Sequence, residues 1–168
     1  MTRRSEWVVA AFVVAAVYGL AAQVTDDRLL RPDKEPRNWL MYSGAYSGQR
    51  YSELRQIDTA NVKNLEMKWI LQAQVSGSWE SSPVVVDGVM YLTQRPNDVL
   101  AIDAKTGRIF WIYKHAVSPD YKVCCGANNR GLAIRGDTLY MGTLDAHLVA
   151  IDAKTGRVKW NVNVGEFS

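Results

Sequence analysis

After the first two dozen residues, the apolar positions come in short runs rather than helical stripes. Val84–Val86 and Val89–Leu92 flank Asp87-Gly88, a dipeptide that favours a tight hairpin. Leu100–Asp103 and Arg108–Ile112 flank Lys105-Thr106-Gly107, where glycine can supply the positive φ that a turn needs. β-Branched and apolar runs of this length, punctuated by turn residues, predict four short antiparallel strands.

The pattern then returns. Ala101-Ile-Asp-Ala-Lys-Thr-Gly-Arg-Ile-Phe-Trp111 reappears as Ala150-Ile-Asp-Ala-Lys-Thr-Gly-Arg-Val-Lys-Trp160, with Asp103 and Asp152 separated by 49 positions. Upstream, Val84–Tyr91 corresponds to Leu132–Tyr140, read with one inserted residue. A fixed period of this size marks propellers and solenoids, and four strands per repeat select the propeller, one blade at a time. The fold class is therefore all-β. The aspartate before each turn is expected to accept turn N–H groups, and the tryptophan after it to pack between neighbouring blades. Asn61–Trp69 ends in a comparable tryptophan and reads as the closing strand of a further blade. Trp39–Tyr51, rich in aromatics and glycine, predicts irregular, turn-rich structure.

The start of the chain has a different character. A basic stub, Met1-Thr-Arg-Arg-Ser-Glu6, precedes sixteen uncharged residues, Trp7–Ala22, with small residues at the end. A spanning helix needs about 20 apolar residues, so residues 1–22 read as a secretory signal peptide, with an uncleaved anchor as the alternative. Residues 23–168 form the folded part, exported and expected in the periplasm, with the membrane met only through that first segment. Composition adds little: 48% hydrophobic and 22% charged residues are ordinary for a globular protein. A formal charge of +3, without a basic cluster, gives no ground for a nucleic-acid partner.

Chemistry concentrates in a few positions. The two cysteines, Cys124 and Cys125, are adjacent. Export favours disulfides and neither cysteine has another partner in the chain, but two adjacent reduced thiols remain the alternative. Bridged, they would present a flat, polarisable sulfur face. Arg130, in Asn128-Asn129-Arg130-Gly131, offers a fork of donors for carboxylates or quinone oxygens, or else lies on the surface. Glu80 stands where the first repeat's inner strand begins, and serves either a polar ligand or solvent. His115 and His147 have no metal-ligand spacing and read as core or solvated histidines.

Taken together, Trp39…Tyr42-Ser-Gly…Gly48-Gln-Arg-Tyr-Ser52, the repeated Asp-x-x-Thr-Gly-x-x-x-Trp closures and Cys124-Cys125-Gly…Asn129-Arg130-Gly131 resemble the quinoprotein alcohol dehydrogenases. The resemblance runs from about Pro32 to the last residue. It implies an eight-bladed propeller, of which two to three blades are present here, and pyrroloquinoline quinone (PQQ) with calcium as cofactors. It implies a Cys124–Cys125 disulfide stacked on the quinone, with Glu80 and Arg130 bonded to the quinone's polar rim. It implies oxidation of a primary alcohol by hydride transfer, with electrons passing to a cytochrome c. The family's calcium ligands and catalytic aspartate have no counterpart in this chain, so the expectation is an N-terminal portion that is inactive alone. The competing expectation is a non-catalytic propeller of the envelope-assembly kind, which uses the same repeats to bind proteins.

Overall fold

The structure, a computed structural model, describes residues 24–73, 75–118 and 120–166. The expected signal segment, residues 1–22, lies outside the described residues. Two four-stranded antiparallel sheets dominate, each a meander of consecutive strands. The first comprises β1 (Val84–Val86), β2 (Val89–Gln94), β3 (Asp98–Asp103) and β4 (Ile109–Tyr113). The second comprises β5 (Ala133–Arg135), β6 (Thr138–Gly142), β7 (His147–Asp152) and β8 (Val158–Asn163).

The strand register corrects one expectation. Val84 pairs with Tyr91 in the first sheet and Ala133 pairs with Tyr140 in the second. Both hairpins turn on two residues, so the repeats align at a constant offset and contain no inserted residue. Leu132 simply precedes the second blade. The turn chemistry otherwise follows the sequence. Asp103 Oδ1 accepts the N–H groups of Lys105 (2.9 Å) and Thr106 (3.0 Å), and Asp152 Oδ1 accepts that of Thr155 (2.8 Å).

Adjacent sheets touch at their first strands. Ser82 and Gly131, just ahead of β1 and β5, form a parallel bridge, which puts those strands at the converging side and β4 and β8 at the outside. Between the sheets lies the core. Val84, Val99 and Ala101 from the first sheet pack against Leu139, Val149 and Ile151 from the second, all fully buried. Each of the valine, leucine and isoleucine side chains contributes about 1.5–3 kcal/mol of burial. On the opposite face of the first sheet Leu92, Leu100 and Ile102 gather with Leu71.

A tryptophan locks each junction. Trp111 donates its indole N–H to the Ala153 carbonyl (3.2 Å) and lies over Gly156 in the next sheet's turn. Trp69 repeats the arrangement on Ala104 (3.2 Å) and Gly107. A β-carbon at either glycine would sit 2.7 Å from the ring above it, and φ there is +75° at Gly107 and +72° at Gly156. Both conditions demand glycine. The docking of Trp69 supports the reading of Asn61–Trp69 as the end of a preceding blade, although that segment carries no strand among the described residues.

The amino-terminal segment holds the lower end. α1 (Asp26–Leu30) is capped by Thr25 and followed by a 3-10 turn at Pro32–Lys34. Arg28 reaches both Glu35 (2.7 Å) and Asp87 (2.9 Å), and Trp39 exchanges two backbone hydrogen bonds of 2.8 Å with Val85. Residues 41–47 are turns and bends, as the glycine-rich sequence predicts.

Candidate cofactor site

Because β1–β4 is a meander, the start of β1, the β2–β3 connection and the end of β4 all lie at one end of the sheet. The connection from Tyr113 to Ala133 leaves and returns at that same end. Glu80 precedes β1, and Cys124, Cys125 and Arg130 lie on the connection, so all four expected site residues belong to segments anchored at that end.

Their contacts are specific. Arg130 Nη2 lies 3.1 Å from Glu80 Oε2, with side-chain exposures of 66% and 40%. An ion pair this exposed stabilises a fold by about 0–1 kcal/mol. Packing therefore does not account for it, and both groups remain open to a ligand. Asn128 Nδ2 donates to Glu80 Oε1 (2.9 Å) and to Ser78 Oγ (2.9 Å), fixing the carboxylate from the other side. Cys124 and Cys125 are joined by a disulfide across adjacent residues, with Cα atoms 3.8 Å apart. Both are exposed. Gly126 and Ala127 join the disulfide to Asn128 along the chain, and the Ala127 carbonyl accepts Arg95 Nε (3.3 Å).

Beneath the site is a buried amide layer. Asn129 Nδ2 donates to Asn97 Oδ1 (3.1 Å) and to the Gly142 carbonyl (2.8 Å), and the Leu144 N–H also reaches Asn97 Oδ1 (3.1 Å). Ser82 N–H donates to the Arg130 carbonyl (3.0 Å). These bonds tie the backbone of Arg130 to both sheets. An open depression of about 440 Å³ runs from Asn128 and Arg130 along the free edge of β5 to Tyr140 and Tyr42. Its lining does not include Glu80 or the cysteines.

Sequence reasoning missed Asn128 and Arg95 as supports. Asn128 stands inside the quoted Asn-Asn-Arg-Gly run, but only the fold brings it to Glu80. Arg95 lies in the β2–β3 connection and carries no sequence signal. The two histidines lie side by side, ring centroids 5.7 Å apart, but differ in exposure: His115 is buried, whereas His147 is half-exposed and bonded to Asn161 (2.7 Å).

The donor set fits a planar, acidic, oxygen-rich molecule. A guanidinium and an amide offer N–H groups, a carboxylate accepts, and an exposed sulfur pair offers a flat apolar face. Among the described residues no group of three or more His, Cys, Asp or Glu could hold a metal ion.

Comparison with known proteins identifies the family. The family model described as PQQ: glucose/ethanol/alcohol dehydrogenase, beta-propeller domain, matches residues 39–161. The dehydrogenase subunit of a quinone alcohol dehydrogenase from Gluconacetobacter polyoxogenes is 42% identical over 126 residues, which are 74% of this chain and 17% of that protein. The solved quinohemoprotein alcohol dehydrogenase ADHIIG of Pseudomonas putida superposes with a TM-score of 0.79 at 40% identity, covering 87% of this chain and 22% of its own. A europium-containing methanol dehydrogenase gives 0.78 at 36% identity, covering 84% and 25%. The chain thus spans about a fifth of the length of these relatives. Sequence and superposition agree over most of the chain, which belongs to the PQQ glucose/ethanol/alcohol dehydrogenase β-propeller family.

Proposed function

We propose that this chain is the N-terminal part of a periplasmic, PQQ-dependent alcohol dehydrogenase, exported by residues 1–22. The observation that carries the reading is the exposed Cys124–Cys125 disulfide on the same end as the Glu80–Arg130 pair. Arg130 would donate to the quinone's oxygen-bearing rim, Glu80 would accept from it, and the sulfur pair would support its face. Bound there, the quinone supplies a hydride acceptor for the alcohol. The roles of this chain's residues are to bind and orient: Asn128 holds the Glu80 carboxylate and the Asn97–Asn129 layer holds Arg130. The substrate is a primary alcohol, and electrons leave to a cytochrome c. Calcium ligands and the proton-accepting group belong to blades beyond the two described sheets.

The test uses the full-length protein that contains this segment, supplied with PQQ, calcium and a primary alcohol, with cytochrome c reduction as the readout. Activity is expected, and Cys124→Ser should reduce it severely. Absence of alcohol oxidation, or full activity in Cys124→Ser, would overturn the proposal and favour a protein-binding propeller.

A further inference from the structure

The loop that carries the disulfide has two arms, and the trailing one is fastened at Ala127, Asn128 and Arg130 as described above. The leading arm is fastened by different chemistry. His115, immediately after β4, places Nε2 at 3.0 and 3.2 Å from the two carboxylate oxygens of Asp145, in the β6–β7 connection of the other sheet. Their side chains are 5% and 4% exposed. The Tyr113 hydroxyl lies 3.3 Å from His115 Nδ1. Asp145 Oδ2 also accepts the Ser118 N–H (3.3 Å).

The protonation pattern follows from the surroundings. Burial pushes the Tyr113 phenol up, and the negative Asp145 and Asp98 add to it, so Tyr113 keeps its proton. Tyr113 can therefore donate to Nδ1, leaving the Nε2–H for the carboxylate. Burial also opposes ionisation of Asp145. Hydrogen bonds from Thr143, His115 and Ser118 outweigh it and hold the carboxyl below its ordinary value. A buried carboxylate with these partners is a costly arrangement to break, because losing one leaves charge unpaired.

We propose that His115 and Asp145 are positioning residues for the disulfide, clamping the leading arm of its loop to the second sheet. Cys124 and Cys125 then hang between two fixed feet, one on each side, instead of at the tip of a free loop. The clamp's bearing on quinone binding rests on the function proposed above; the clamp itself does not.

The test needs no quinone. Hydrogen–deuterium exchange is followed by mass spectrometry in the full-length protein that contains this segment, without added quinone, together with the rate of disulfide reduction by dithiothreitol. In His115→Leu and Asp145→Asn, exchange across residues 116–126 is expected to rise about tenfold, and reduction to accelerate comparably, the scale of one charge-assisted hydrogen bond. Exchange in β2 and β6 should stay unchanged. His115→Gln, whose terminal amide can still donate to Asp145, should remain within about threefold of the parent chain. Unchanged exchange at 116–126 in folded Asp145→Asn, or an equal rise in β2 and β6, would overturn the clamp. If His115→Leu does not fold, Asp145→Asn and His115→Gln decide the question. Failure of the full-length protein to bind quinone, with the clamp intact, would count against the cofactor reading alone.

Discussion

Exposed polar groups held in a defined geometry separate binding from stability, and Glu80 is such a group. Its ion pair with Arg130 lies at the surface, where such a pair is worth about 0–1 kcal/mol, and its second bond comes from the buried Asn128. Glu80→Gln should therefore shift thermal unfolding by less than about 0.5 kcal/mol equivalent. In the full-length protein the same change should weaken PQQ binding by about tenfold or more, as loss of a charge-assisted hydrogen bond implies. Calorimetric melting and an absorbance titration with PQQ check the two halves separately. The sequence singled out Glu80, Cys124, Cys125 and Arg130, because each belongs to a local pattern, and the structure pairs Glu80 with Arg130 and bridges the cysteines. Asn128–Glu80 and His115–Asp145 were not legible. Their partners stand 48 and 30 positions apart, and no local preference records such a pairing.

The blade is the unit at the next scale, and its turn is a titratable device. The Thr155 hydroxyl, against a smaller opposing effect of burial, together with the Thr155 N–H, holds the Asp152 carboxyl below the ordinary carboxylate range. A depressed carboxyl stabilises the fold at pH values above its unfolded pKa, and that contribution disappears as pH falls through the folded pKa. The melting temperature should fall between about pH 5 and pH 3, and Asp152→Asn should flatten that part of the curve. The sheets themselves were largely readable, since strand length, turn residues and period agree with one another. Boundaries moved by a residue or two: β3 starts at Asp98 and β4 at Ile109. The supposed insertion at Leu132 arose from aligning by letters, whereas cross-strand pairing fixes the true register.

The two copies of one tryptophan provide a controlled experiment. Trp111 is half-buried against Tyr91, the Ala153 carbonyl and Gly156. Trp160 keeps the matching tyrosine, Tyr140, at the same 6.0 Å ring separation, but is 40% exposed. In the 168-residue chain Trp111→Ala should cost about 3 kcal/mol and Trp160→Ala less than about 1 kcal/mol, read from urea unfolding. Equal costs would contradict the docking described for Trp111.

For the whole molecule, two four-stranded sheets make a partial propeller that spans about a fifth of the length of its relatives. On the function proposed above, the residues present would bind and orient the quinone without completing its chemistry. Adding PQQ, calcium and an artificial electron acceptor to the isolated 168-residue chain should yield no alcohol oxidation, measured by dye reduction. Turnover above the protein-free rate would refute this.

The tryptophan docking also gives the ring a direction in time. Each indole emerges in the chain before the turn that receives it: Trp69 precedes Gly107, and Trp111 precedes Gly156. A newly formed blade is therefore finished only by its successor, about fifty residues later in this repeat. A growing ring carries one unfinished face forward at every step. Here that face holds Trp160 and Val162, 40% and 46% exposed, an apolar edge that no turn covers among the described residues.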